Sequence, residues 1–261
     1  MTTLENRIET RWRGGDASGA MALARAAGRE EEKLAAAEAL LRCAADLSLP
    51  HAEDAARLAV ALRAEVWPVE RERAAFAAMP LADLLRRAGR HAEADAVLAQ
   101  CEELAAAAFQ RGAREPLRIV LLARAKLHET RGRHAEAERA LLRAAELEAV
   151  ARPGRAPGAL ALAELAALYR RQARFAEAAD IQRREIDARR AGGLSAHEHA
   201  ILLTELGRTL LRAGQEKAAR NAIRDALSAL AQTPAEEPLR TMARTVLDEI
   251  AARGGPGEDD A

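Results

Sequence analysis

Apolar residues recur along this chain at three- and four-residue intervals, in stretches divided by short polar, glycine- or proline-containing breaks. That period with those stops predicts consecutive amphipathic helices and no sheet. Thr2 with Glu5 reads as a capping box opening a first helix on Leu4 and Ile8. Gly14-Gly15-Asp16 breaks it, and a second helix follows through Ala20, Leu23, Ala24 and Ala27. Leu34, Ala37, Leu40 and Leu41 mark a third. Leu49-Pro50 stops it and starts a fourth on Ala55, Leu58, Ala59 and Leu62. After Trp67-Pro68 comes a helix containing Pro80, which must kink it or restart it. That helix ends at Gly89, and its partner runs through Val97, Leu98 and Cys101.

Three clearer hairpins begin at Leu122, Leu162 and Leu203. Residues 152–158 and 191–194 have loop composition between them, and Ser195 with Glu198 forms another capping box. Leu239, Met242, Val246 and Ile250 lie on one face of a last helix, read as a terminal cap. Residues 253–261 are expected to be a disordered acidic tail.

The hairpins share a phrase. Gly-Arg-His-Ala-Glu-Ala occurs unchanged from Gly89 and from Gly132, with looser copies from Ala173 and Gly214. The spacings are 43, 41 and 41 residues. Such a period marks a solenoid, whose units bury their apolar faces only against neighbours. The expected fold is an all-α, right-handed α-solenoid of about six helical hairpins plus the capping helix. It would be a single repeat domain over 1–252, clearest over 81–230.

Composition narrows the function. Half the chain is hydrophobic but only 2% is aromatic, which suits alanine-rich, closely packed helices better than a deep catalytic pocket. Basic and acidic residues balance, so the basic excess of a nucleic-acid binder is missing. No apolar run is long enough to span a membrane and the N-terminus has no signal-peptide core, which predicts a cytoplasmic protein. Cys43 and Cys101 lie far apart and read as buried, inert thiols.

The repeat resembles tetratricopeptide repeats. Small residues stand where that family's paired helices cross: Ala82, Ala125, Ala166 and Gly207 on the first helices, Ala94, Ala137, Ala178 and Ala219 on the second. Seven residues on come Cys101, Ala144, Glu185 and Ala226, where Glu185 departs and predicts a looser or polar crossing. The bulky position after the turn holds His91, His134, Phe175 and, departing, Glu216. The period of about 42 residues is similar to the long-helix variant of kinesin light chain and of bacterial signalling proteins.

The resemblance implies a protein-interaction scaffold or adaptor that binds a partner segment on the concave face of first helices. Helix phase then places Asp83, Arg86, Lys126, Glu129, Ala163, Ala167, Arg170, Thr204, Arg208 and Leu211 on that face. Arginine and lysine predominate among its charges, which favours an acidic or mixed peptide. The lysine–asparagine carboxylate clamp of chaperone-binding members is not recognisable. The alternative is a bacterial signalling sensor whose superhelix responds to a peptide or small ligand. Self-association stays open, because the first helix, with Leu4, Ile8 and Trp12, is the weaker cap.

Nothing in the chain reads as catalytic machinery, a cofactor site or a metal site. His128-Glu129 lacks the second histidine of a His-Glu-x-x-His motif. His128 takes the slot of Tyr169 one unit on, and His91 and His134 read as rings packing the turns. His197 and His199 point in different directions from one helical turn. Carboxylates alternate with arginines at helical ion-pair spacing.

Overall fold

A computed structural model of the protein describes residues 3–45, 49, 51–66, 76–110, 112–151, 159–231 and 237–253. Among them are thirteen α-helices and no strand. They are α1 (Leu4–Arg13), α2 (Ala17–Arg25), α3 (Glu30–Cys43), α4 (Ala52–Val66), α5 (Met79–Arg87), α6 (His91–Phe109) and α7 (Glu115–Thr130). These are followed by α8 (His134–Ala151), α9 (Ala159–Arg171), α10 (Phe175–Ala191), α11 (Ala196–Arg212), α12 (Glu216–Ala229) and α13 (Glu237–Arg253). The chain forms two compact units, residues 1–140 and 141–261.

Helix starts follow the polar signals closely. Ser195 caps α11 through a reciprocal pair: its Oγ accepts from the Glu198 N–H at 3.2 Å, and Glu198 accepts from the Ser195 N–H at 3.1 Å. The first helix is capped one residue later than expected. The Thr3 hydroxyl accepts from the Asn6 N–H at 3.4 Å, and Thr2 lies outside the described residues. Asp16 accepts from the Gly19 N–H at 2.8 Å and so caps α2. Pro80 sits in the first turn of α5, where no amide hydrogen is required, so it restarts the helix rather than kinking it. Pro50, Trp67-Pro68, the 152–158 loop and the acidic stretch 254–261 lie outside the described residues.

The recurring phrase builds one recurring turn. In all four copies the amide after the turn residue reaches back five residues: Arg90 to Leu85, Arg133 to His128, Arg174 to Tyr169 and Gln215 to Leu210, at 2.8–2.9 Å. This is the bond that closes a Schellman motif, and it requires a left-handed residue just before the donor. Gly89, Gly132 and Gly214 supply it with φ between 68 and 75°. Ala173 adopts the same conformation, φ 57°, without the glycine. The arginine of the phrase then ties down the next helix: Arg90 donates to Glu93, and Arg174 to Glu177, each through Nε at 2.7 Å.

In the N-terminal unit α1 packs on α2 and α3, α3 on α4, α4 on α5, and α6 on α5 and α7. The core is largely alanine and leucine, with Ile8, Leu40, Leu85 and Leu127 fully buried. Ion pairs brace the neighbours: Glu9 of α1 accepts from Arg42 of α3 at 2.8 Å, and Lys33 of α3 meets Glu65 of α4 at 2.8 Å. Arg90 also bonds Glu53 of α4. Together with Arg57 it holds the Glu53 carboxyl down to about 2. Cys101 is buried, and burial pushes its thiol up to about 11. Cys43 is only half-buried, so the expectation of two buried thiols holds for one.

In the C-terminal unit α9 pairs with α10, α10 with α11, α11 with α12, and α13 packs on both α12 and α11. The expected small residues sit at the crossings: Ala166, Ala178, Ala219 and Ala226 are buried, and Gly207 lies directly under Ile223. Glu185 is buried at its crossing too, only 5% exposed, with Arg189 donating to it at 2.9 Å. Gln182, one turn earlier, is buried beside it. The crossing is therefore polar. The buried stripe of α13 is Leu239, Ala243, Val246 and Ile250; Met242, expected in that stripe, is 41% exposed.

Candidate protein-interaction surface

Each unit presents the outward face of its first helices. In the N-terminal unit this face includes Asp83 and Arg86 of α5 and Lys126 and Glu129 of α7. Their charges are largely satisfied among themselves. Asp83 accepts from Arg86 at 2.7 Å and pairs with Arg87 at 2.5 Å, while Lys126 meets Glu129 at 3.3 Å. Arg86 is mostly covered and Lys126 is exposed. A firmer polar brace lies between α6 and α7, where Arg124 and Arg131 both reach Asp95 at 3.2 Å and Arg124 also bonds Glu102. That network is structural, because it joins two packed helices.

In the C-terminal unit the corresponding face is built by α9, α11 and α13. Arg170 of α9 donates to Glu205 of α11 at 2.9 Å, and Arg208 lies 3.7 Å from the same carboxylate. Two cations thus share one anion, and the trio carries a net positive charge.

Beside Glu205 lies a pocket of about 350 Å³, lined by His197, Ile201 and Glu205 of α11 and by Pro238, Leu239 and Met242 of α13. Ile201 and Met242 are among the few large apolar side chains exposed on the described surface, at 39% and 41%. The lining is mostly apolar, so the pocket suits an apolar side chain better than a charged one.

Two residues expected on this face are elsewhere. Thr204 is buried, and its hydroxyl donates to the Ala200 carbonyl at 2.7 Å, a back-bond that satisfies it inside the helix. Leu211 is buried in the core formed by α10 to α13. Both errors have one cause. The buried stripe of α11 is broad, taking in Leu203, Leu206, Gly207, Leu210 and Leu211, so the outward stripe is Ile201, Glu205 and Arg208. Glu205 and Ile201 are the functional candidates that sequence reasoning missed. The i, i+4, i+7 spacing to Arg208 was the available signal.

The histidines divide. His128 is half-buried, its Nδ1 has no hydrogen-bond partner among the described residues, and burial lowers its pKa. His91 is half-buried in the same manner, whereas His134, expected to pack its turn, is exposed. Aromatic packing at the turns appears instead at Tyr169, with the Arg174 guanidinium 4.1 Å from the ring centre, and at Phe175, under Arg212. Among the described residues no group of three or more His, Cys, Asp or Glu side chains is placed to hold a metal ion. Nor is any helix among them long and apolar enough to cross a membrane.

No protein-family model and no curated protein matches the chain. Solved structures do, over nearly its whole length. BtubC (BKLC) from P. vanneervenii superposes with a TM-score of 0.58 at 19% identity, covering 88% of this chain and 92% of its own. The nearly identical TPR-like repeats of a kinesin-light-chain structure from Podosopora anserina give 0.53 at 16% identity, covering 88% and 95%. A Rap protein complexed with competence and sporulation factor gives 0.52 at 14%, covering 95% and 75%. The chain therefore has the fold of TPR-like helical repeats.

Proposed function

We propose that this TPR-like protein is an interaction scaffold that holds a segment of a partner protein on the face made by α9, α11 and α13. The observation that carries this reading is the pairing of an apolar pocket with a net-positive trio on the same face. Ile201, Met242 and Leu239 offer apolar surface, and the Arg170–Glu205–Arg208 cluster beside it has one cation in excess. A partner segment with an apolar side chain for the pocket and acidic residues for the arginines fits both. Helix stacking builds the surface in advance, so binding loses little conformational entropy.

The test is affinity capture of the tagged protein from its own lysate, in three versions: unchanged, Arg170→Glu plus Arg208→Glu, and a control Arg224→Glu at an exposed position of α12. A stoichiometric partner kept by the control and lost from the double variant supports the reading. A partner retained by the double variant removes this face from consideration.

A sensor that responds to a peptide or small ligand is the second reading. It is favoured by the likeness to the Rap protein solved with competence and sporulation factor. It expects a ligand-dependent change in small-angle scattering, and an unchanged profile at saturation would count against it.

A further inference from the structure

On the other side of the C-terminal unit, α10 and α12 flank α11 and leave a second pocket, of about 480 Å³. Its floor is apolar. Ile186, Leu203 and Leu206 line it and are each less than a tenth exposed. Its walls are charged in balance, with two arginines and Asp187 on the α10 side and Asp225 on the α12 side. A site of this composition repels neither sign and selects neither an anion nor a cation alone. It fits a ligand that carries both charges.

Most charged side chains of this unit's helices are already tied to a neighbour, as Arg183 is to Asp180 at 2.7 Å on the same wall. Arg190, Asp187 and Asp225 are exceptions: none of these side chains has a hydrogen bond or ion pair among the described residues, all three line the pocket, and Asp225 is the one on the α12 side. The pKa of half-buried His199 is lowered, chiefly by burial and further by Arg190, against the opposing effect of Asp225, and the lowering favours the neutral ring. A neutral imidazole offers one donor and one acceptor, which complements a ligand of mixed polarity.

We propose that this pocket binds a small zwitterion with an apolar body, a hydrophobic α-amino acid or a dipeptide of such residues. The ligand carboxylate faces Arg190, where a guanidinium can bind it through two parallel hydrogen bonds. The ammonium faces Asp225, and the side chain rests on Ile186, Leu203 and Leu206. The volume lies within the range usual for small-ligand sites. The site is separate from the face assigned to the partner protein, so it stands or falls independently.

Isothermal titration of the full chain tests it with three probes: leucine, leucyl-leucine and N-acetyl-leucinamide. The third keeps the side chain and removes both charges. Saturable binding of leucine identifies a free amino acid as the ligand class, and binding of leucyl-leucine alone identifies a short peptide. In either case the capped probe binds at least about tenfold more weakly, and so does each of Arg190→Gln and Asp225→Asn. Both side chains are exposed, so the unliganded variants should melt with the unchanged protein, and the His199 ring resonances should move on titration only when the ligand binds. The proposal is overturned by absence of saturable heat for both zwitterions up to about 10 mM. It is equally overturned by equal affinity for the capped probe, by unaffected variants, or by binding that leaves His199 unperturbed.

Discussion

Gly207 of α11 lies directly beneath Ile223 of α12: a Cβ built on the glycine would sit 2.5 Å from the isoleucine Cδ1 and 2.8 Å from its Cγ1. Ile223 is fully buried, so it has little room to retreat. Two effects oppose each other in Gly207→Ala. Alanine favours the helix by about 1 kcal/mol, while overpacking costs about 1–3 kcal/mol. Overpacking wins because both contacts fall below the closest normal approach. Gly207→Ala is expected to destabilise by about 1 kcal/mol in urea unfolding. Adding Ile223→Val, which removes Cδ1, should recover part of that loss.

Ala173 does in its turn what glycine does in the other three. Left-handed backbone costs an ordinary residue about 1 kcal/mol, but glycine also gives the unfolded chain more freedom, worth about 0.4–1 kcal/mol. Ala173→Gly should therefore raise stability by only a few tenths. Gly214→Ala, the same exchange in reverse, should lower it by a comparable few tenths of a kcal/mol, because a Cβ there meets nothing within 4 Å and only the left-handed backbone opposes it. Changes of clearly unequal size at the two positions would show that the turns are not equivalent.

Two carboxylates predict opposite pH behaviour. Glu53, held down to about 2 by Arg90 and Arg57, contributes stability above the ordinary value of 4.5 and loses it as pH falls towards 2. The group is well solvated, so the contribution is about 1 kcal/mol or less. Glu185 is pushed up by burial, against Arg189 and Arg170. Its contribution is complete below 4.5 and is lost as pH rises through the raised folded value. Glu53→Gln should destabilise at pH 7 and be silent near pH 2. Glu185→Gln should stabilise at pH 7 and be silent in acid. Unfolding midpoints across pH 2–8 would decide both signs.

Thiol chemistry should separate the two cysteines. Cys101 combines full burial with a pKa of about 11, so little thiolate exists and little reagent reaches it. Cys43 is only half-buried, though burial pushes its thiol up as well. A maleimide at pH 7.5 should label Cys43 in the native protein and Cys101 only after unfolding. Rapid native labelling of Cys101 would mean that α6 opens locally far more readily than its packing implies.

Much of this architecture was written in local patterns. Helical periods, capping pairs such as Ser195 with Glu198, and the recurring turn phrase need only nearby residues, so they could be read along the chain. The small residues at helix crossings were legible for the same reason, since a repeat states its packing rule several times over. Even Glu185 announced a polar crossing by departing from that rule.

What a helix turns outward was another matter. Ile201, Glu205 and Arg208 became a surface, and Thr204 and Leu211 became interior, because α11 is covered on a broad arc by α10, α12 and α13 at once. The width of that arc depends on three neighbours and not on the period of one helix. Likewise, no local pattern brings Arg170 to Glu205, or sets Arg190 and Asp225 around one pocket. Those relations join residues about 35 positions apart, and only the stacking of the helices determines which side chains meet.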